Sequence, residues 1–280
     1  MEVKRARELV ELAEERAELL KIRITEVLRS STRIAVLHGP NCRGLARHLT
    51  TVIKLSRPEM DVLYMDADYA HNTLIPYISE NLDAVLLLSH DARSLVRAAT
   101  ASRLLGVRTL AVTQRLSEQV RRVLEGVELI ELEAEVLHLA ALIASVRIGA
   151  SLGSAARVER LQRETVFSTV VDELGERYAH EVEALREGYT LIASPSMESL
   201  AEFLRVRGLT AFTIAEAGGI KSIERALIAY TSSEEHEVTD TVIRLRASGK
   251  QLKTLRLNTD PLTAPIYGII LALKALSGTK

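Results

Sequence analysis

The chain has 280 residues, of which 47% are hydrophobic and 26% charged, and it is long enough for one large domain or two smaller ones. Its 36 basic and 37 acidic residues leave no charge excess for binding nucleic acid or an acidic membrane. Cys42 is the single cysteine, which excludes an internal disulfide and a cysteine-rich zinc site. The charged N-terminus is not typical of a signal peptide, and the most apolar run, residues 136–146, is too short to span a membrane. We therefore expect a cytoplasmic protein.

The numbers of Asn and Gln residues indicate the growth temperature of the source organism. Only four Asn and four Gln occur, and Glu and Arg are abundant. Thermophile proteins tend towards this composition, although a genome that favours Arg produces a similar bias. A thermophilic source is therefore a weak prediction.

Residues 2–29 carry apolar side chains at alternating spacings of three and four, which predicts one amphipathic helix. Such a stripe packs against another surface. Two partners are open, namely the chain's own domain and a second copy in a homodimer. The apolar positions are Val10, Ala13, Ala17, Leu20, Ile24 and Val27.

The pattern then changes to short apolar runs that alternate with helical segments of 10 to 15 residues. This alternation predicts β-α-β units and a parallel sheet. The runs are continuous rather than alternating in polarity, as expected of strands that are covered on both faces. The predicted strands are residues 33–39, 60–66, 83–89, 108–114 and 127–132.

A helical stretch separates this lobe from a second one. Residues 134–187 are predicted to be helical, and four further strands follow at residues 189–195, 209–217, 225–233 and 250–258. The fold class is therefore α/β, with two doubly wound parallel-sheet lobes. The domain boundaries that we predict are a helix at 1–30, a first lobe at 31–133, a helical connector at 134–187 and a second lobe at 188–280.

Four loops follow predicted strands at the sheet edge where doubly wound proteins bind ligands. They cover residues 38–44, 89–94, 194–199 and 231–236, and three of them are rich in hydroxyl groups. Hydroxyls beside a helix N-terminus suit a phosphate, although Ser and Thr are also ordinary N-caps. In the second lobe the candidate residues are Ser194, Ser196, Ser232 and Ser233.

The first-lobe loop contains the run Ser89-His90-Asp91. A catalytic triad needs its three members to converge in space, and three adjacent residues on one turn point in different directions. This run is therefore not a catalytic triad.

A strand, an S-x-S-G-x-T loop, a helix, a glycine and a strand ending in Thr form the signature of sugar isomerase (SIS) domains, and residues 83–114 resemble it. The segment HGPNCRGLARHL resembles the first glycine-rich turn of that family. The likeness extends over nearly the whole chain. It resembles the isomerase half of glucosamine-6-phosphate synthase and the archaeal phosphoglucose/phosphomannose isomerases.

The resemblance implies that the loop holds the phosphate of a sugar. Ser89 matches the first serine and Ser94 substitutes for the threonine, but Asp91 replaces the second serine and Ala92 replaces the glycine. An ionised aspartate repels a phosphate dianion unless a cation intervenes. Two alternatives follow: an arginine supplies that cation, or Asp91 caps the next helix and no phosphate binds. The candidate phosphosugar-binding residues are Ser89, Ser94, Arg93, Arg43, Asn41 and His90.

The second lobe departs further from the family. The helix that supplies a catalytic glutamate in synthase-like members has Gly208 at that position, and the family's later H-G-P segment and C-terminal tail have no counterpart. An isomerase would need another base. Glu216 is the candidate, with Lys221 or Glu224 nearby. A solvated carboxylate at the end of a strand is the simpler interpretation of Glu216.

Other polar groups give weaker signals. Asp66, Asp68 and His71 could hold a divalent metal, but a polar loop explains them more simply. His38 and His90 end neighbouring strands, where satisfied structural histidines are the more common case. Cys42 has no identifiable base beside it, so we interpret it as a small packed residue. We therefore expect no metal and no cofactor, and neither a P-loop nor a G-x-G-x-x-G turn is present.

The leading hypothesis is a protein that binds a phosphorylated sugar, with aldose–ketose or amino-sugar isomerase activity as an extension. The alternative is a non-catalytic SIS-fold sensor or scaffold, which the missing glutamate and tail favour. The resemblance also implies a homodimer, because related folds build their sites between subunits. We expect no nucleic-acid partner and no membrane partner.

Overall fold

The structure is a computed structural model, and it describes residues 2–153, 156–217 and 223–277. Lys221, named above beside Glu216, lies outside the described residues. Within the described ranges, no helix is both long and apolar enough to cross a membrane.

In the part of the chain that the structure describes, nine strands form two parallel sheets. The first sheet has five strands in the order β2-β1-β3-β4-β5, and the second has four in the order β7-β6-β8-β9. The strands are β1 Arg33–His38, β2 Asp61–Asp66, β3 Ala84–Ser89, β4 Arg108–Gln114, β5 Glu128–Leu132, β6 Thr190–Ala193, β7 Ala211–Thr213, β8 Arg225–Thr231 and β9 Gln251–Leu257.

The predicted α/β class with two parallel-sheet lobes is confirmed. All neighbouring strands that are paired run parallel. Every residue of β3 is buried, and so is every residue of β1 except the first, because helices cover both faces of a parallel sheet. This burial explains why the strands are continuous apolar runs in the sequence.

Helices occupy the connections. They are α1 Glu2–Arg29, α2 Arg43–Ser56, α3 Ala67–Thr73, α4 Ile75–Ile78, α5 Ala92–Leu104, α6 Glu118–Val123, α7 Leu137–Leu152, α8 Ala156–Arg163, α9 Val171–Arg177, α10 Ala179–Arg186, α11 Glu198–Val206, α12 Ile214–Ala217, α13 Glu235–Ala247 and α14 Ala264–Ser277.

The chain forms two compact units. The first unit comprises Leu12–Thr165 and contains the five-stranded sheet, and the second comprises Met1–Glu11 and Val166–Lys280 and contains the four-stranded sheet. The helical segment that we treated as a connector is thus divided between the units, with α7 and α8 in the first and α9 and α10 in the second.

The apolar stripe of α1 is buried within the chain. Each of its six predicted positions is at most 3% exposed. Of the two partners that the periodicity left open, the stripe therefore packs on the chain itself and is not available as a dimer contact.

One predicted strand is wrong over half its length. Residues 209–217 were predicted as a strand, but β7 ends at Thr213 and α12 follows directly. The Glu216 carboxylate accepts a hydrogen bond from the Thr213 backbone N–H at 2.7 Å, and the Thr213 hydroxyl accepts from the Glu216 N–H at 3.4 Å. This reciprocal capping starts a helical turn where apolar content alone suggests strand.

Candidate functional site

Each sheet has a point where the strand order reverses. In the first sheet it lies between β1 and β3, and in the second between β6 and β8. Ligands of doubly wound proteins bind in the crevice outside the carboxyl ends of the strands at such a switch point. The loops that we singled out from the sequence therefore flank the two switch points.

At the first switch point, the Ser89 hydroxyl is committed to its own loop. It donates to the Asp91 carbonyl at 2.9 Å and accepts from the Asp91 N–H at 3.0 Å. The Asp91 carboxylate in turn accepts from the Ser94 N–H at 2.7 Å and so is the N-cap of α5. Asp91 therefore caps α5, as one of the two alternatives has it, and phosphate binding at this loop stays a prediction.

The Ser94 hydroxyl also has a partner within the chain. It donates to the Asp68 carboxylate at 2.9 Å, and the other oxygen of Asp68 lies 3.6 Å from Arg97. Asp68 lies on α3, whose N-cap is Asp66. The segment with the candidate metal ligands Asp66, Asp68 and His71 is therefore a capped helix rather than a polar loop. The carboxylate of Asp68 accepts a hydrogen bond from the first-lobe loop.

The predicted cations lie at the margins of this loop. Arg43 begins α2 and Arg93 lies in the first turn of α5, and both side chains are exposed. Between β1 and α2, Gly39 packs so closely on Ser89 that a Cβ there would collide with the serine hydroxyl. Asn41 follows in a left-handed conformation, with φ of 57°.

A cluster of Cys42, His90 and His138 lies beside the serine loop. Their sulfur and ring-nitrogen atoms lie within 4.8 Å of one another, and all three side chains are buried. Nε2 of His90 lies 3.1 Å from Nδ1 of His138, and Nε2 of His138 lies 2.8 Å from the Asn41 carbonyl. The sequence prediction that no base accompanies Cys42 is wrong, because two imidazoles do.

The surroundings of His90 keep it neutral. Burial lowers its pKa to about 4, against a small opposing effect of Gln114, whose side-chain amide donates to the His90 carbonyl at 3.0 Å. The ring of His38, at the end of β1, is tilted by 31° to the ring of Tyr64, with the ring centroids 5.3 Å apart, and its Nδ1 lies 3.9 Å from the Asp66 carboxylate. His38 and His90 thus have different partners.

At the second switch point, the hydroxyl groups of the loops donate hydrogen bonds to one carboxylate. Glu234 accepts hydrogen bonds from the Ser194 hydroxyl at 2.6 Å, the Ser196 hydroxyl at 2.6 Å and the Ser196 N–H at 2.8 Å. It also accepts from the Thr231 hydroxyl at 2.8 Å and the Thr231 N–H at 3.1 Å. Burial tends to raise the pKa of Glu234, but these hydrogen bonds prevail and lower it.

The other two serines predicted at this edge are not among the donors to Glu234. Ser233 is hydrogen-bonded to the Thr231 hydroxyl at 2.9 Å, and Ser232 is exposed in a short 3₁₀ turn. Glu234 thus lies where a phosphate would have to lie to use Ser194 and Ser196.

Glu216, the candidate base, is also engaged. Its carboxylate lies 3.1 Å from Arg205 and accepts from the Thr213 N–H. Burial acts to raise the pKa of Glu216, yet Thr213 and Arg205 together hold it below the ordinary value. A carboxylate with a lowered pKa and a fixed cation is a weak base for abstracting a carbon-bound proton.

The second unit also has a pocket away from this switch point. Its volume is about 210 Å³, and it lies after the end of β9 against α9 and Tyr267 of α14. Glu173 and Arg177 give it one charge of each sign. None of the predicted site residues lines it.

Solved structures share this architecture. No family model and no curated protein matches the sequence significantly. A candidate phosphosugar isomerase from Salmonella typhimurium matches at a TM-score of 0.65 and 14% identity, over 95% of this chain and 93% of that chain. The fold is SIS-like.

Two further solved structures match over a similar extent. The C-terminal domain of glucosamine-fructose-6-phosphate aminotransferase from Francisella tularensis matches at a TM-score of 0.63 and 11% identity, over 99% of this chain and 94% of that one. Glucosamine-6-phosphate deaminase from Thermotoga maritima matches at a TM-score of 0.60 and 9% identity, over 99% and 95%. At these identities the similarity establishes the fold.

Sequence reasoning did not connect three residues with the loops at the switch points, namely His138, Asp68 and Glu234. His138 and Asp68 reach the first loop from α7 and α3, and no local pattern connects them with it. Glu234 had a local signal, because Thr231 and Glu234 form a capping box that the T-S-S-E segment spells out.

Proposed function

We propose that the protein binds a phosphorylated sugar, or a closely related carbohydrate derivative, at the first switch point and does not isomerise it. The observation that carries this proposal is the difference in charge between the two hydroxyl loops of an SIS-like fold. The first loop has exposed arginines at its margins, whereas Glu234 engages the second.

The local groups favour weak rather than tight binding of a phosphate. Asp91 occupies the Ser94 N–H, a donor that an anion at the helix N-terminus would use. Unit charges 4 Å apart interact by about 4 kcal/mol near a protein surface, so the Asp91 carboxylate opposes a phosphate there. Arg43 and Arg93 offset this repulsion if their side chains turn towards the ligand.

The state of two carboxylates supports binding without isomerisation. Proton transfer between C1 and C2 of an open-chain sugar needs a base that is available at neutral pH. Glu216 is paired with Arg205, and Glu234 is held by five hydrogen bonds, so neither has the raised pKa of such a base. The protein would then be a sensor of its ligand rather than an enzyme.

The test is a thermal-shift screen of the purified protein against sugar phosphates. The panel contains glucose-, fructose-, mannose- and glucosamine-6-phosphate and erythrose- and arabinose-phosphates. Inorganic phosphate and the unphosphorylated sugars are the controls. A ligand at a hundredfold its dissociation constant adds about 2.7 kcal/mol to the stability of the folded state, which is visible as a rise in Tm.

Three variants locate the binding. Asp91→Ser keeps an N-cap and removes the charge, so we expect it to bind the ligand at least about tenfold more tightly. Ser89→Ala should weaken binding. Ser102→Ala is the matched control, because Ser102 is a buried serine on α5, the helix that Asp91 caps, and its hydroxyl donates to the Ala98 carbonyl.

A non-catalytic scaffold is the second candidate, and one observation favours it. The hydroxyls of Ser89 and Ser94 both donate to acceptors within the chain, so neither needs a ligand as its hydrogen-bond partner. If no sugar phosphate shifts the Tm of the wild-type protein or of Asp91→Ser, the sugar-phosphate proposal fails and the scaffold is favoured.

A homodimer and a cytoplasmic location remain predictions. Light scattering on the eluting peak of a size-exclusion column measures the mass directly, and a homodimer predicts twice the 30.9 kDa of the chain.

A further inference from the structure

We propose that Cys42, His90 and His138 form a binding site for a borderline transition-metal ion, with Zn²⁺ as the best match, at the switch point of the first sheet. This proposal is independent of sugar-phosphate binding. The three residues come from three separate segments, namely the N-cap of α2, the turn after β3 and the first turn of α7.

The donor set fits zinc. One thiolate and two imidazoles are ligands that zinc takes in tetrahedral sites, and carboxylate-preferring ions such as Mg²⁺ and Ca²⁺ would find no oxygen ligand among the three. Cys42 is the N-cap of a 14-residue helix, where the helix dipole favours the thiolate form that binds metal.

The distances fit as well. Two nitrogen ligands at zinc lie about 3.3 Å apart in a tetrahedral site, and the two facing ring nitrogens are 3.1 Å apart. A sulfur and a nitrogen ligand lie about 3.6 Å apart, and the atoms of the cluster span at most 4.8 Å. The cluster therefore needs only a movement of about 1 Å at its widest pair to close around an ion.

One of the two histidines, His138, is held through its second ring nitrogen, as metal-binding histidines usually are. His138 is bonded through Nε2 to the Asn41 carbonyl, which directs its Nδ1 towards His90. Asn41 is the only non-glycine residue with positive φ in the part of the chain that the structure describes. A strained conformation is retained where the surrounding structure requires it, and here it sets the carbonyl that orients His138.

A hydrogen bond between the two rings is the competing explanation of the 3.1 Å distance. The buried Nδ1 of His90 has no hydrogen-bond partner under either explanation, because the ring nitrogen that faces His138 is Nε2. The metal site accounts for the convergence of all three side chains rather than of the ring pair alone.

The test uses the full-length wild-type protein, stripped of metal by a chelator, with no sugar phosphate present. Titration with Co²⁺ should give a near-ultraviolet thiolate-to-cobalt absorption band that saturates at one ion per chain. Zn²⁺ should displace the cobalt and abolish the band. A titration that gives no thiolate band overturns the proposal, and it leaves the sugar-phosphate proposal standing.

Variants assign the band to these residues. Cys42→Ser should abolish it, and His138→Gln should weaken cobalt affinity by at least about tenfold. His48→Gln is the matched control, since His48 is a buried histidine on α2 outside the cluster, and it should bind as the wild type does. A band that survives in a folded Cys42→Ser variant contradicts the proposal. The wild-type titration decides the matter even where a variant does not fold.

Discussion

The two switch points are built from the same kinds of elements, but their hydroxyl groups hydrogen-bond to different acceptors. In the first, Asp91 caps α5 with one hydrogen bond and Asp68 takes the Ser94 hydroxyl. In the second, Glu234 alone accepts five hydrogen bonds, from Ser194, Ser196 and Thr231.

The difference concerns whether a carboxylate of the chain occupies the place that a bound anion would take. Five donors around Glu234 resemble the set that would surround a phosphate, so the second loop already holds an anion that belongs to the chain. In the first loop the carboxylates serve a helix cap and one serine, and the Cys42, His90 and His138 cluster lies beside them. We therefore propose the first switch point, rather than the second, as the site of an external ligand.

The largest effect should come from removing the anion of the second loop. Glu234→Ala leaves several buried donors without an acceptor, and each unsatisfied donor costs about 1–3 kcal/mol. We expect the free energy of unfolding to fall by about 2–4 kcal/mol, measured by urea denaturation. Glu235→Ala is the control, because its exposed pair with Arg256 at 2.9 Å is worth less than about 1 kcal/mol. Equal losses in the two variants would contradict this view of Glu234.

The Glu234→Ala variant also tests whether the second loop can bind an external anion. With the carboxylate gone, Ser194, Ser196 and Thr231 keep their hydroxyls and backbone N–H groups. We expect inorganic phosphate to raise the Tm of Glu234→Ala by several degrees more than that of the wild-type protein. A variant that responds to phosphate no more than the wild type does would show that these donors do not form an anion site.

A smaller effect is expected at the first loop. Asp91→Ala removes one N-cap hydrogen bond, which costs about 1 kcal/mol, whereas Asp91→Ser should cost less because serine also caps helices. Urea denaturation of both variants measures the two costs. If Asp91→Ala destabilises the protein as much as Glu234→Ala does, the two loops do not differ in the way described.

The smallest change in stability is expected at Glu133, which lies outside both loops. Glu133 is an ordinary, partly exposed ion-paired carboxylate, 3.2 Å from both Arg16 and Arg115, and the hydrogen bond from Arg16 lowers its pKa from 4.5 to about 2. A carboxylate whose folded-state pKa is depressed stabilises the protein above its unfolded-state pKa, and this stabilisation is lost as the pH falls from 4.5 towards 2.

Solvent screening limits this contribution to about 1 kcal/mol. Glu133→Gln should therefore destabilise the protein by about that amount at pH 7 and reduce the loss of stability on acidification below pH 4.5. Urea denaturation at pH 7 and at pH 3 measures both. A stability that depends on pH as steeply in the variant as in the wild type would contradict the assignment.

The sequence predicted the sheets better than the sites, for a physical reason. Strands such as residues 84–89 are buried on both faces, so their apolar runs are visible without tertiary information. The cap formed by Asp91 was one of two stated alternatives because capping is local. The contacts of Asp68 with Ser94 and of His138 with His90 span 26 and 48 residues, and only the folded chain brings them together.

We propose that the first switch point binds a sugar phosphate without isomerising it. Proton NMR of each sugar phosphate of the panel, incubated with the protein in D₂O, tests both parts at once. We predict protein-dependent broadening of the signals of at least one sugar phosphate, which Ser89→Ala reduces, with no loss of the C1 or C2 proton signal to deuterium. Exchange of either proton, or no broadening with any sugar phosphate, would contradict the account.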